Sequence, residues 1–140
     1  MKKLLLALSV MLTSTTASAG DISAACIVGV PELVAASLDF RATPLVAVGA
    51  SFGYLNERSA TVVMVRIYPL QNDTVNPYIE DAWGVLLDNT GATSTHFARL
   101  GLEYAGRIVA RAGIGISIKD EPMTANVSLG MKFWDLDFFE

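Results

Sequence analysis

The sequence predicts an all-β protein, an antiparallel up-and-down meander closed into a small barrel of about eight strands. Three observations carry this. Large apolar and small residues alternate with a period of two over most of the chain, which is the period of a strand and not of a helix. Eight of the eleven glycines fall inside the alternating stretches, all on the small side. Short polar or Gly/Pro-containing turns separate the stretches, as antiparallel neighbours require. With 140 residues and no internal repeat, one domain is expected. A composition of 52% hydrophobic and 17% charged residues excludes a disordered chain and a basic nucleic-acid binder. No run approaches the ~18 apolar residues of a membrane-crossing helix.

The first 19 residues read as an export signal. Lys2 and Lys3 form a basic start, Leu4 to Leu12 an apolar run, and Ala17-Ser18-Ala19 the small residues before cleavage at Gly20. A short signal of this kind is bacterial in style and points to periplasm, outer membrane or medium. Its removal takes two lysines and no acids, so eight basic side chains face 14 acidic ones and the net charge moves from -4 to -6. One cysteine, Cys26, follows, so no intramolecular disulfide forms. Ser23-Ala24-Ala25 before it, with Asp21 interrupting the approach, is a poor lipidation signal. A small apolar side chain on a strand is the simpler reading.

Ile22–Val30 and Leu33–Phe40 alternate acceptably around a turn at Pro31-Glu32, with a helix as the rival for the second because Pro31 suits a first helical position. From Leu45 to Leu55 the alternation is strict. Val46, Val48, Ala50, Phe52 and Tyr54 oppose Ala47, Gly49, Ser51 and Gly53. Strands at Thr61–Tyr68 and Ala82–Asp88 fit, with Arg66 on the same face as Gly84. Between them Pro69 to Asp81, containing Asn72, Asp73, Asn76 and Pro77, reads as the longest loop. His96–Tyr104, Ile108–Ile118 and Ala125–Phe133 close the series, joined at Ala105-Gly106-Arg107 and Lys119-Asp120-Glu121-Pro122.

The glycines choose the solvent. Gly29, Gly49, Gly53, Gly84, Gly101, Gly113, Gly115 and Gly130 lie opposite the large residues. A water-facing strand surface gains nothing from glycine. A barrel of about eight strands needs small residues inside, where side chains alone fill the space. The large face then meets lipid. Tyr54, Tyr68, Trp83, Phe97, Tyr104, Phe133 and Trp134 sit near proposed strand ends, the level of a headgroup belt. The rival keeps the greasy face as the core of a soluble periplasmic or secreted sandwich or barrel that binds a protein or a small apolar ligand.

The signal, the alternation from Leu45 to Leu55 and the run ARLGLEYAGRIVARAGIGISIKDEPMTANVSLGMKFW together resemble the small outer-membrane β-barrel proteins of Gram-negative bacteria. The resemblance is one of pattern and covers the last third best. It implies a barrel inserted in outer-membrane lipid, with structural, adhesive, permeability or host-interaction roles exercised through loops, as a monomer without enzymatic activity.

Chemical signals are few. His96 is the only histidine and lacks the serine two residues on that lipid-deacylating barrels use. No phosphate loop, Cys/His cluster or nucleophile elbow occurs, so no cofactor, metal or catalytic residue is assigned. Asp73, Asp81, Asp88, Asp135, Asp137 and Glu140 match no calcium loop and read as solvated acids. Arg99, Glu103, Arg111 and Lys132 share the small face of the last three strands. They are the candidate site, either lining and plugging a lumen or serving as paired charges that keep a filled interior compatible with itself. A barrel this narrow holds no continuous water column.

Overall fold

The computed structural model describes residues 20–30, 33–55, 57–71, 74–105, 108–118 and 123–136. The signal segment, the turns at Pro31-Glu32, Gly106-Arg107 and 119–122, and the tail beyond Leu136 lie outside them. Eight strands follow one another: β1 Gly20–Val30, β2 Leu33–Thr43, β3 Val46–Leu55, β4 Arg58–Ile67, β5 Val75–Asp88, β6 Gly91–Ala105, β7 Ile108–Ser117 and β8 Thr124–Leu136. Each pairs antiparallel with the next, and β8 returns to β1, closing the barrel. The stretch that could have been a helix is strand β2, paired over Leu33–Arg41 with β1.

The stagger follows from the register. Asp21 pairs with Arg41, and the row continues through Ala47, Arg66, Glu80, Arg99, Gly115 and Thr124. Ala125 pairs with Val30, so Thr124 arrives opposite position 31, and 31 minus 21 gives a shear of ten residues. Eight strands with this stagger leave an interior only wide enough for side chains.

Two sequence expectations are corrected. β5 begins at Val75, seven residues before the expected start, so Asn76, Pro77 and Glu80 belong to a strand and the connection shrinks to 68–74. Proline is tolerated because β4 ends at Ile67, opposite Ile79. At Pro77 that side is already unpaired, and edges accept proline. β6 likewise starts at Gly91, before the expected His96. The extra length on β5 and β6 moves Trp83 and Phe97 away from strand ends. Phe97 and Tyr68 are buried in the interior, so neither belongs to an outer aromatic belt.

The two faces sort as the alternation requires. Ile114, Val127, Leu129, Phe52 and Phe133 are each 60% or more exposed on the outside, whereas Ser23, Ala25, Ser37, Ser51, Asn126 and Ser128 are buried inside. The greasy face is therefore the exterior, which removes the soluble reading in which it formed a core. Phe40, Tyr104 and Phe133 stand outward near the end that carries both chain termini; Phe52 and Tyr54 stand outward at the other. Cys26 is an exposed free thiol on the outer face of β1.

Connections are short. Only positions 89–90 separate β5 from β6. There the Asp88 carboxylate accepts bonds from the Thr90 hydroxyl, the Thr90 N–H at 2.7 Å and the Gly91 N–H at 3.1 Å. These donors hold its carboxyl below the usual carboxylate range. Gly91 closes the turn with φ +138°, a conformation that disfavours any side chain.

Inside, glycine is required by close approach. A Cβ on Gly115 would run into the Ala98 carbonyl, and one on Gly101 into the Tyr78 ring and the Ala112 carbonyl. Gly115→Ala is expected to lower the unfolding free energy by about 1–3 kcal/mol through overpacking. Ala112→Val on the exposed face should stay within about 0.5 kcal/mol. Urea midpoints of the folded barrel measure both.

Candidate functional site

The interior has two layers. Nearer the end opposite the termini, Val62, Met64, Ala82 and Phe97 form a buried apolar cluster. A layer of charge runs from the end that carries Gly20 and Leu136 up to Arg99, which reaches Val30 and Thr124 at the other end. Positions of one parity on a strand point the same way, so β2 contributes Asp39 and Arg41, β4 Arg66, β5 Glu80, β6 Arg99 and Glu103, and β7 Arg111 to one small volume.

The groups form one connected chain. Arg41 bonds Glu103 at 3.3 Å; Glu103 takes the Arg111 Nε; Arg111 reaches Asp39 at 2.8 Å. Asp39 is shared with Arg66, whose Nε meets Glu80 at 2.6 Å, and Glu80 ends on Arg99 at 2.9 Å. Glu80 and the Arg99 side chain are fully buried. Further hydrogen bonds tie the layer to its surroundings, although the buried Arg41 Nε has no partner among the described residues. Tyr68 donates its hydroxyl to Glu103 at 2.7 Å, Arg99 donates to the Val30 carbonyl at 3.1 Å and Thr124 at 3.4 Å, and Arg111 donates to Ser23 at 3.3 Å. The Arg41 guanidinium lies 3.9 Å from the Tyr68 ring centroid, a cation–π contact.

Each of the four candidate residues thus has a place. Arg99, Glu103 and Arg111 belong to the connected chain, with Glu103 and Arg111 in direct contact and Arg99 joined to them through Glu80, Arg66 and Asp39. Lys132 stands apart nearer the mouth, bonded to Asp21 at 2.6 Å and partly exposed. Asp39, Arg41, Arg66 and Glu80 were missed as members of the connected chain, and Asp21 as the partner of Lys132. Asp39 and Arg41 were legible from the parity of β2, but Glu80 was hidden by the loop assigned to its segment.

Every carboxylate in the connected chain is held by at least two cations, so none is positioned as a base or nucleophile. Among the described residues no group of three or more His, Cys, Asp or Glu could hold a metal. An interior cavity lined by Asp21, Arg41, Tyr68, Glu103, Arg111 and Lys132 has about 20 Å³, room for roughly one water. Asp81, expected as a solvated acid, instead bonds His96 at 2.7 Å on the outer wall.

No protein-family model matches the sequence, and no curated protein is similar to it in sequence. Solved structures are similar in fold. The N-terminal β-barrel domain of Pseudomonas aeruginosa OprF superposes with a TM-score of 0.61 at 15% identity, over 83% of this chain and 98% of that one. The de novo designed TMB2.3 gives 0.59 at 12% identity, covering 87% and 99%. The Yersinia pestis outer membrane protein Ail, in a phospholipid bilayer nanodisc, gives 0.53 at 12% identity, covering 84% and 100%. These likenesses concern the barrel fold.

Breaking the charged layer should be costly. Arg66→Met removes the cation shared by Asp39 and Glu80 and is expected to cost about 3–5 kcal/mol by leaving buried charge unpaired. Lys132→Met, at a partly exposed pair, should cost no more than about 1 kcal/mol. Denaturant unfolding of the two variants in the same detergent tests the contrast.

Proposed function

We propose that this chain is an outer-membrane barrel whose lipid-facing wall and sealed interior serve a structural, non-enzymatic role in the cell envelope, as a monomer. The observation that carries the reading is the inversion of the faces. Leu38, Val127 and Ile114 are at least 60% exposed while Arg66, Arg99 and Glu80 are at most 2% exposed. In water such a wall would aggregate. In hydrocarbon it is the stable arrangement, because a closed barrel leaves no backbone group unpaired and large apolar side chains replace lipid contacts.

The sealed interior argues against a pore. The apolar cluster and the paired charges fill the section that a solute would cross. The rim limits what loops can do. Opposite the termini, strands are joined through two positions at 31–32, 56–57 and 89–90, and through six at 118–123. A surface interaction would therefore use the rim of the wall and not an extended loop.

Fractionation tests the reading. Expressed with residues 1–19, the chain should sediment with outer membrane and migrate faster on a gel unheated than boiled; recovery as a heat-insensitive soluble monomer would overturn it. Ile114→Arg sets a cation on the lipid face and should cost up to ~2–4 kcal/mol, with loss of the fast-migrating form. In planar bilayers the folded chain should show no unit conductance. Reproducible channel steps would overturn the sealed lumen.

A further inference from the structure

Among the described residues, the apolar exterior carries a bonded acid at Asp81. Asp81 has the outward parity of β5, between Ile79 and Trp83 on its own strand, and it pairs with Val65 on β4 and Ala98 on β6. Among the described residues it is the carboxylate set in the outer wall. It bonds His96 on β6 at 2.7 Å, and the His96 ring stacks on Trp83 with centroids 5.1 Å apart and planes 19° apart. The Asp81 side chain is 49% exposed and that of His96 34%.

A carboxylate ringed by valine, isoleucine, tryptophan and alanine is costly in hydrocarbon unless its oxygens are hydrogen-bonded, and intramembrane acids mark sites of interaction. His96 serves one oxygen from one direction. The exposed half of the carboxylate faces whatever lies against the wall. A suitable occupant needs a cationic donor for Asp81 and an apolar body for Ile79, Val65 and Trp83. A primary-ammonium headgroup carrying acyl chains supplies both.

We propose that Asp81, held by His96 and flanked by Trp83, forms a binding site for the headgroup of an aminophospholipid, with the ammonium on Asp81 and the acyl chains along the apolar wall. The proposal rests on the bilayer reading above.

The test uses the full chain, folded in nanodiscs containing phosphatidylethanolamine and phosphatidylcholine in equal amounts, with the lipid carried by the released barrel counted by native mass spectrometry. The primary-amine headgroup donates hydrogen bonds and the quaternary one does not. One phosphatidylethanolamine should be retained about tenfold over phosphatidylcholine, the ratio to which ~1.4 kcal/mol corresponds. Asp81→Leu matches the wall around it and should still give the fast-migrating folded band, while the preference falls to parity. His96→Gln should lower it in part. Equal retention of the two lipids by the unaltered chain, or an unchanged preference in Asp81→Leu, overturns the proposal. So does a lipid-free dimer that Asp81→Leu separates, which would make a second copy the occupant. A chain that never gives a heat-modifiable membrane form fails earlier, at the bilayer reading itself.

Discussion

Eight strands and a stagger of ten residues fix the width of the space inside this barrel, and that width constrains nearly every interior position. The wall leaves room for side chains and little else. Where a large side chain enters, its neighbours must shrink, which is why Gly101 lies against the Tyr78 ring and Gly49 against Asp39. Bulk that cannot go inward goes outward, so the same closure that demands glycine within places isoleucine, leucine and valine without. The exterior is thus the complement of the interior and not an independent design choice.

The same narrowness explains the choice of arginine. A buried charge needs its counter-charge within bonding distance, and a lumen this tight brings groups from opposite walls together. A guanidinium presents a planar fork that can hold two acids at once, which an ammonium on a flexible stem does less well. Arg66 grips Asp39 and Glu80, and Arg111 grips Asp39 and Glu103. Through them β2, β4, β5, β6 and β7 are cross-braced across the lumen in addition to their edge-to-edge ladders. A slip of one residue in any of these strands would turn its charge out into the apolar wall, so the network also favours the native register.

How much of this the sequence disclosed depended on local regularity. β3, β7 and β8 were plain because large and small residues alternate there over most positions, and their starts lie within one residue of expectation. β5 was half hidden. Asn76 and Pro77 are turn-formers by local chemistry, and only the absence of a β4 partner at that height makes a proline harmless there. Hiding that segment also hid Glu80, the acid that Arg66 and Arg99 share. Parity placed Arg99, Glu103, Arg111 and Lys132 on one face, but the partition between a linked chain and a separate Lys132–Asp21 pair depends on register between non-neighbouring strands, which no periodicity reveals. Asp81 illustrates the same limit from outside. Its parity was masked by the assigned loop, and its bond to His96 spans two strands.

The layering of the interior bears on how such a wall could enter a bilayer. In the membrane reading, the hairpin tips opposite Gly20 and Leu136 are the leading edge, since the start of β1 and the end of β8 stay behind. That leading half encloses Val62, Met64, Ala82 and Phe97, and three of its four tips are two-position connections. Arg41, Glu103, Arg111 and Lys132 lie in the trailing half, near the side from which the chain arrives. These four would then travel least far through hydrocarbon, while the more deeply buried Glu80 and Arg99 meet as the strands close, with Arg99 reaching Val30 and Thr124 at the leading end. An arrangement that looks static in the finished barrel thereby lowers the work of threading it across.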